Sequence, residues 1–236
     1  MAVTDEAILK IKDMILAGEL KPGDRLPPEK ELSERLNLSR SSMREAVKAL
    51  EVIRVLDVRR GDGTYVTSLE PNLLLEAMTF VVDLHSSDSV LELFEARRIL
   101  EPAATAMATT HLDADGIAGL RAEVASVTEE SSVEDLVSHD IRFHARIVDR
   151  AGNSYVSALI ESLSGSTARA RIWRGLTQAN AASRTITEHS EIVDALEAGD
   201  ARLAETLAAA HIYGVEQWLR QWRDAESSDA VTDATS

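Results

Sequence analysis

The chain has 236 residues, a formal net charge of −15 and no cysteine. Its length leaves room for one large domain or two smaller ones, each able to bury a core. Without cysteine the chain has no disulfide, no cysteine-based zinc finger and no cysteine nucleophile, which fits a reducing cytoplasm. It contains no apolar run of about 18 residues, and Met1 to Leu20 lack the apolar core of a signal peptide. We therefore expect a soluble cytoplasmic protein that does not enter a membrane.

The negative charge is unevenly distributed along the chain. Residues 1–67 contain 12 basic and 12 acidic residues, whereas residues 68–236 contain 13 basic and 28 acidic residues. Because a phosphate backbone repels a uniformly acidic surface, only the first segment is suited to bind DNA. The sequence therefore predicts two domains with different electrostatic roles.

Three helices are predicted in the first segment. Apolar residues recur at helical spacing from Glu6 to Leu16, and Gly18 follows as a stop signal. A turn-rich link that ends at Pro28 precedes a short helix from Glu29 to Leu36. After a three-residue break of the length found in helix-turn-helix motifs, we expect Ser39 to cap the third helix through its hydroxyl.

The third helix carries a basic stripe. Arg40, Arg44 and Lys48 repeat every four residues, and Ser41 lies beside them in the first turn. In a recognition helix, side chains at these positions meet base edges and phosphates. A basic stripe alone is more often a solvated helix face, so this interpretation depends on a second feature.

That second feature is a predicted hairpin after the third helix. Residues 55–58 and 64–66 have the pattern of two short strands, and Arg59 and Arg60 begin the glycine-bracketed turn between them. Such a hairpin is typical of a wing that lies along a DNA groove. The stripe and the wing together favour DNA binding over a merely solvated surface.

These motifs resemble the winged helix-turn-helix of GntR-family bacterial transcription regulators. The matching segments are Gly18, residues 22–29 (PGDRLPPE), 38–46 (LSRSSMREA) and 61–66 (GDGTYV). The resemblance implies that DNA contacts come from the starts of the second and third helices and from the wing. On this sequence those positions are Lys30, Ser39, Arg40, Ser41, Arg44 and Gly61.

Three positions depart from the family pattern. Lys30 stands where the family usually has arginine, so a bidentate contact becomes a point-charge contact. Asn37 and Ile53 replace glycines that are common in the family. Asparagine tolerates a left-handed backbone, whereas β-branched isoleucine does not, so we expect the turn into the wing to differ.

The second segment is predicted to be an all-helical bundle. Between residues 72 and 225 glycine is scattered, Pro102 is the only proline, and apolar and acidic residues recur at helical spacing. This pattern predicts six or seven helices and a mainly α fold for the whole chain. The predicted divisions are a winged domain at 1–67, a linker at 68–72, a helical domain at 73–224 and a disordered tail at 225–236.

Four polar side chains in the second segment form a candidate metal site. Asp140 and His144 lie one helical turn apart, and His189 and His211 lie on later predicted helices. Side chains from facing helices can converge on one ion in a bundle, and this ligand set suits zinc, nickel, manganese or iron. Taken singly, a helical histidine is more often a packing residue. We interpret the remaining histidines that way: His85, His111 and His139.

The second segment resembles the FadR-type (FCD) branch of GntR regulators over roughly residues 73–222. The matching stretches are residues 93–101, 140–144, 151–153, 188–192, 198–200 and 211–212. The resemblance implies a divalent metal, zinc first, bound by the aspartate and the three histidines at positions 140, 144, 189 and 211. It also implies a small carboxylate effector clamped by Arg97. The alternative for Arg97 is an ion pair with Glu101. The side chains of Arg169, Arg171 and Arg174 either add a polar contact to the effector or form a solvated helix face.

We therefore predict a regulator and not an enzyme. Paired winged domains of a homodimer would bind a near-palindromic DNA operator as a repressor, under the control of a small organic acid. One alternative is a metal-responsive regulator without an organic effector. Another is a helical metalloenzyme in which Glu188 assists a metal-activated water, but such an enzyme has no use for a winged domain.

Overall fold

The structure is a computed structural model that describes residues 3–71, 73 and 89–233. His85 lies outside these residues. The chain divides into two compact units, residues 1–78 and 79–236. The first is a small winged helix-turn-helix and the second is a helical bundle, which confirms the predicted fold class.

The first unit contains three helices followed by a hairpin. The elements are α1 (Val3–Leu16), α2 (Glu29–Leu36), α3 (Arg40–Val52), β1 (Leu56–Arg59) and β2 (Gly63–Val66). Their apolar faces form one core, because the residues at helical spacing in α1 and α3 point inward together with one side of the hairpin. Its largest buried side chains are Ile11, Leu32, Met43 and Leu56.

The turn between α2 and α3 has the predicted capping residues. Asn37 ends α2 in the left-handed conformation, with φ 53° and ψ 50°. Ser39 then caps α3, because its Oγ accepts a hydrogen bond from the backbone N–H of Ser42 at 3.1 Å. The tight turn orients the first turn of α3 at the surface.

The turn into the wing avoids the left-handed conformation at the isoleucine, as its β-branched side chain predicts. Ile53 keeps a negative φ of −88°, and Arg54 takes the positive φ of 60° one residue later. Arginine is not β-branched, so the left-handed conformation costs less there than at Ile53. The wing itself is an antiparallel hairpin in which Leu56 pairs with Val66.

The second unit contains seven helices among the residues described. They are α4 (Ser89–Ala108), α5 (Ala114–Val124), α6 (Val133–Asp149), α7 (Ser154–Ser166), α8 (Ala168–Thr177), α9 (Ala181–Glu197) and α10 (Ala201–Asp233). The side chains of Asp113, Ser132 and Asn153 accept backbone hydrogen bonds at the starts of α5, α6 and α7. Helix α10 packs along α4 and α9, so these helices enclose the interior of the bundle.

The last helix is longer than composition predicts. Composition predicts disorder from residue 225, but α10 runs to Asp233. No glycine or proline interrupts residues 225–233, and extending an existing helix costs far less than starting one. Among the described residues, no helix combines the length and the apolar character needed to cross a membrane.

Candidate metal centre and DNA interface

The four predicted metal ligands meet inside the bundle. Helix α6 carries Asp140 and His144 on one face, α9 carries His189, and α10 carries His211. All four side chains are buried. Their candidate ligand atoms lie within 4.8 Å of one another.

The spacing of these atoms fits a single ion. From Oδ1 of Asp140, the Nε2 atoms of His144, His189 and His211 lie 3.6, 3.3 and 3.5 Å away. The Nε2 atoms of His189 and His211 are 3.4 Å apart. A tetrahedral metal with bonds of about 2.0–2.1 Å separates its ligands by roughly 3.3 Å. The cluster is therefore a buried site that could hold a metal ion.

Each histidine of the cluster is oriented by a hydrogen-bond partner at its other nitrogen. Such outer partners fix the ring and its tautomer in metal sites. Nε2 of His144 is buried and has no hydrogen-bond partner among the described residues, which is what a missing ligand would leave. The Nδ1 partners are Glu101 for His144 at 3.1 Å, His139 for His189 at 2.9 Å and Glu188 for His211 at 2.7 Å.

Arg171 orients the fourth ligand. Its Nη1 donates to Oδ2 of Asp140 at 2.5 Å, while Nη2 donates to the Ser164 carbonyl and to the Thr167 hydroxyl, both at 2.7 Å. The side chain of Arg171 is 6% exposed. Arg171 therefore lies in the interior of the bundle. This excludes the interpretation that its side chain belongs to a solvated helix face.

Arg97 forms the ion pair that the sequence offered as its alternative role. Its Nε lies 2.5 Å from Oε1 of Glu101, and its Nη1 donates to the Thr167 hydroxyl at 3.2 Å. Because Glu101 also contacts His144, Arg97 belongs to the outer hydrogen-bond network of the cluster. Its role in effector binding stays a prediction.

The contacts of Asp140, His144 and His189 determine which of these side chains are charged. Burial favours a neutral Asp140, but the Arg171 guanidinium and the three neighbouring histidines hold its pKa well below the usual range. Burial lowers the pKa of His189 to about 3. Burial also disfavours protonation of His144, yet the Glu101 and Asp140 carboxylates raise its pKa. The site thus offers one carboxylate and, at His189, a neutral imidazole.

A cavity of about 60 Å³ adjoins Asp140. Arg171 and Arg174 from α8 lie on its polar side, and both are buried. The rest of the lining is mainly apolar and comes from α6, α8, α9 and α10. Arg97 is not among the lining residues. Because Asp140 lines the cavity, a small molecule there would lie beside the cluster of one aspartate and three histidines.

The DNA-contact residues that the sequence predicts are all exposed on the first unit. Ser39 is also the N-cap of α3, and its hydroxyl contacts that of Ser41 at 2.9 Å. Arg44 lies 3.4 Å from Glu29, which brings the start of α2 to the basic stripe of α3. Gly61 is at the tip of the wing, where its φ of 78° suits glycine.

The family assignment rests on both units. The first unit matches the family of bacterial regulatory proteins named gntR over residues 3–66, and the second matches the FCD domain over residues 92–214. The chain belongs to the GntR family. This confirms the resemblance that the sequence motifs indicate.

Individual relatives of this GntR regulator are similar over nearly their whole length. It is 30% identical to the HTH-type transcriptional regulator LutR of Bacillus subtilis (strain 168), over 87% of this chain and 96% of LutR. It is 27% identical to the Uxu operon transcriptional regulator of Escherichia coli (strain K12), over 92% and 86%. The solved structure of Streptococcus agalactiae GntR aligns with a TM-score of 0.68 at 26% identity, over 91% of this chain and 99% of that one. The curated relatives are transcription regulators, which supports the prediction that the chain is not an enzyme.

Several site residues of the GntR regulator are missed by reasoning from sequence. His139 has more than a packing role, because its completely buried ring contacts both His189 and, at 3.3 Å, Glu123. Glu188 pairs with His211 instead of facing the cluster as a base. Each of these two residues directly precedes a ligand in the chain, which is the one signal that could have found them. His111, by contrast, is exposed, and its Nδ1 contacts the Thr110 hydroxyl and the Met107 carbonyl within its own turn.

Proposed function

We propose that this GntR regulator is a homodimeric repressor that binds a divalent metal in its helical domain and responds to a small carboxylate metabolite. The observation that carries the proposal is the buried cluster in which three imidazoles turn Nε2 toward one carboxylate oxygen of Asp140. A protein that only bound DNA would gain nothing from burying three imidazoles together. The proposed repressor would act in the cytoplasm, where the operator DNA lies.

Zinc is the metal we propose first, with nickel, manganese or iron as alternatives. Three imidazole nitrogens and one carboxylate oxygen form a ligand set that zinc accepts in tetrahedral geometry. A divalent ion there would offset the Asp140 charge, and it would accept an incoming carboxylate by expanding beyond four ligands. The protein holds the ligands in place through Glu101, His139, Glu188 and Arg171.

Operator recognition is proposed for the exposed residues at three places on the first unit. Arg40 and Arg44 present guanidinium groups along α3, which are suited to bidentate contacts with guanine or phosphate. Lys30 provides a point charge at the start of α2. The remaining members of the proposed set are Ser39, Ser41 and Gly61.

Dimerisation follows from the geometry of such operators. Two winged domains related by a twofold axis bind two half-sites, so a second copy doubles the contact surface. On α4, Ile99 is 63% and Met107 is 39% exposed, eight residues apart on one helix face. Contact with a second copy would bury these apolar side chains. The effector would then shift the population between arrangements of the paired DNA-binding domains.

The metal part is tested by elemental analysis of purified protein. Wild type is compared with a double variant that carries His144→Ala and His189→Ala, and with His111→Ala as a matched control outside the cluster. We expect wild type and His111→Ala to carry the metal and the double variant to lose it. Equal metal content in all three proteins would overturn the metal site.

A regulator that responds to the metal alone is the second candidate, because it uses the same four ligands. Metal and carboxylic acids are titrated separately into an operator-binding assay. If metal alone changes operator affinity and no acid adds to the effect, the organic effector is excluded. If metal-loaded protein releases or binds the operator only when an acid is added, the effector proposal stands. The Arg97→Lys variant in the same assay tests whether Arg97 contributes to the response.

A further inference from the structure

Arg174 is a buried arginine whose guanidinium is only partly satisfied. The residue is 5% exposed. Its Nε donates to Oε1 of Gln178 at 2.6 Å, but its Nη2 has no hydrogen-bond partner among the described residues. A buried donor without a partner costs free energy unless a ligand or an ordered water pairs with it.

Arg174 also lacks a counter-ion that its neighbours possess. Arg97 is paired with Glu101, and Arg171 is paired with Asp140. Within the described part of the chain, no carboxylate lies within 4.0 Å of Arg174. A buried cation without a partner is unfavourable, and a divalent ion at the neighbouring cluster would add more positive charge. The Glu188 and Asp140 carboxylates act on Arg174 from beyond salt-bridge distance, so an anion in contact with its guanidinium would stabilise it further.

The cavity beside the cluster places Arg174 where a ligand can reach it. Its volume of about 60 Å³ exceeds the roughly 10–15 Å³ that one water needs, so it has room for a small ligand of a few heavy atoms. Asp140 and Arg171 share the polar side with Arg174, but these two already pair with each other. Thr185 is the one polar side chain among the other lining residues, which are otherwise apolar or glycine: Val133, Leu136, Val137, Gly175, Ala181, Ala182 and Val215.

We infer that Arg174 binds the carboxylate of a small monocarboxylic acid whose carbon chain lies against the apolar lining of the cavity. The planar guanidinium fork matches a carboxylate in two-point contact. A second carboxylate on the same ligand would face valine and leucine side chains and lose its hydration without compensation. This inference rests on the proposed function and specifies the effector class and the residue that selects it.

Isothermal titration of zinc-loaded protein tests the inference with three probes of similar size. Sodium butyrate has the expected charge and chain, butyramide lacks the charge, and disodium succinate adds a second carboxylate. The variants are Arg174→Met, which keeps an unbranched stem, and Arg174→Lys, which keeps the charge. Arg169→Met is the matched control, because Arg169 lies on the same helix and is exposed.

We expect butyrate to bind wild type at least tenfold more tightly than butyramide or succinate. Arg174→Met should weaken butyrate binding at least tenfold, Arg174→Lys should restore part of it, and Arg169→Met should match wild type. Zinc content should be equal in all four proteins. Unchanged butyrate affinity in Arg174→Met, or loss of its zinc, would overturn the role of Arg174. Failure of butyrate to bind wild type, or equal binding of succinate, would overturn the ligand class.

Operator binding, measured in parallel, separates this inference from the proposed function. If butyrate binds through Arg174 but never changes operator affinity, the effector mechanism fails and the binding site stands. If purified wild type holds no metal, the metal part of the proposed function fails, and the same titration of metal-free protein still decides the role of Arg174.

Discussion

Arg171 donates a hydrogen bond to Oδ2 of Asp140, and this leaves Oδ1 as the oxygen that faces the three imidazoles of the cluster. Both side chains are buried, so no water competes strongly with the pair. The arginine thereby selects which carboxylate oxygen is available to a metal. Metal affinity should depend on a side chain that does not itself ligate.

Replacing Arg171 by Met should weaken metal binding by about 10- to 100-fold, the usual effect of losing an outer partner. The reason is that Asp140 loses the contact that fixes its orientation. Competition with a chromophoric chelator measures the affinity, and Arg169→Met provides the exposed control on the same helix. Wild-type affinity in Arg171→Met would contradict this explanation.

The Thr167 hydroxyl accepts hydrogen bonds from both Arg97 and Arg171 and is completely buried. In Thr167→Val two guanidinium groups lose a shared acceptor, and each unsatisfied buried donor costs about 1–3 kcal/mol. Thr167→Ser keeps the hydroxyl and should retain most of the stability. Chemical denaturation gives the free energy of unfolding of both variants. Similar values for serine and valine would show that the hydroxyl contributes little.

Removing the metal should lower the melting temperature of the protein. An ion present at a hundredfold excess over its Kd stabilises the folded state by about 2.7 kcal/mol. For a chain of this size that corresponds to a shift of roughly 5–10 °C. Calorimetry with and without a chelator measures the shift. The variant lacking both His144 and His189 serves as control and should melt at the same temperature in both conditions.

Metal binding should weaken as the pH falls through the raised pKa of His144. The Glu101 carboxylate favours the protonated ring, and the ion must displace that proton before it can bind. Glu101→Gln removes this preference, so its affinity should fall less steeply with acidification. Because the glutamine orients the ring less strongly, its affinity at high pH should be lower than that of wild type. Metal titrations from pH 8 to 5 test both expectations. If the metal affinities of wild type and Glu101→Gln fall in parallel as the pH is lowered, the role assigned to Glu101 is contradicted.

The ion pair of Arg44 with Glu29 should restrain operator binding. Arg44→Ala should cost roughly 1–3 kcal/mol of operator affinity if the arginine contacts a base or phosphate. Glu29→Gln should tighten binding, because the arginine is released and one repulsive charge is removed. Arg35→Ala, an exposed arginine of α2 outside the proposed contact set, is the control. Gel-shift titrations at two salt concentrations measure the operator affinity of all three variants. If Arg35→Ala lowers the affinity as much as Arg44→Ala does, Arg44 does not belong to the set of proposed DNA contacts.

The features predicted from sequence are those that depend on local spacing. The hydroxyl of Ser39 caps α3 because capping uses atoms within four residues of one another. Asp140 and His144 share a face because they are one helical turn apart. The family resemblance adds His189 and His211, which spacing alone does not connect.

The features that could not be predicted depend on how helices pack. Arg171 and Arg174 have the composition of a solvated face, and only the approach of α6 and α9 makes them interior residues. Glu101 lies 43 positions before His144, and no periodicity links the two. The length of α10 was also missed, because composition predicts whether a segment can pack but not whether a preceding helix will continue through it.

The absence of cysteine leaves this chain without covalent cross-links. The proposed metal would be a reversible replacement, because an ion held by Asp140 and His211 would join residues that are far apart in the chain. Closing a loop of that length removes much of the freedom of the unfolded chain, as metal clips do in general. Unlike a disulfide, such a metal-mediated cross-link would persist in a reducing compartment and would be lost when the ion dissociates. Metal supply would therefore set the resistance of the helical domain to proteolysis as well as its readiness to bind an effector.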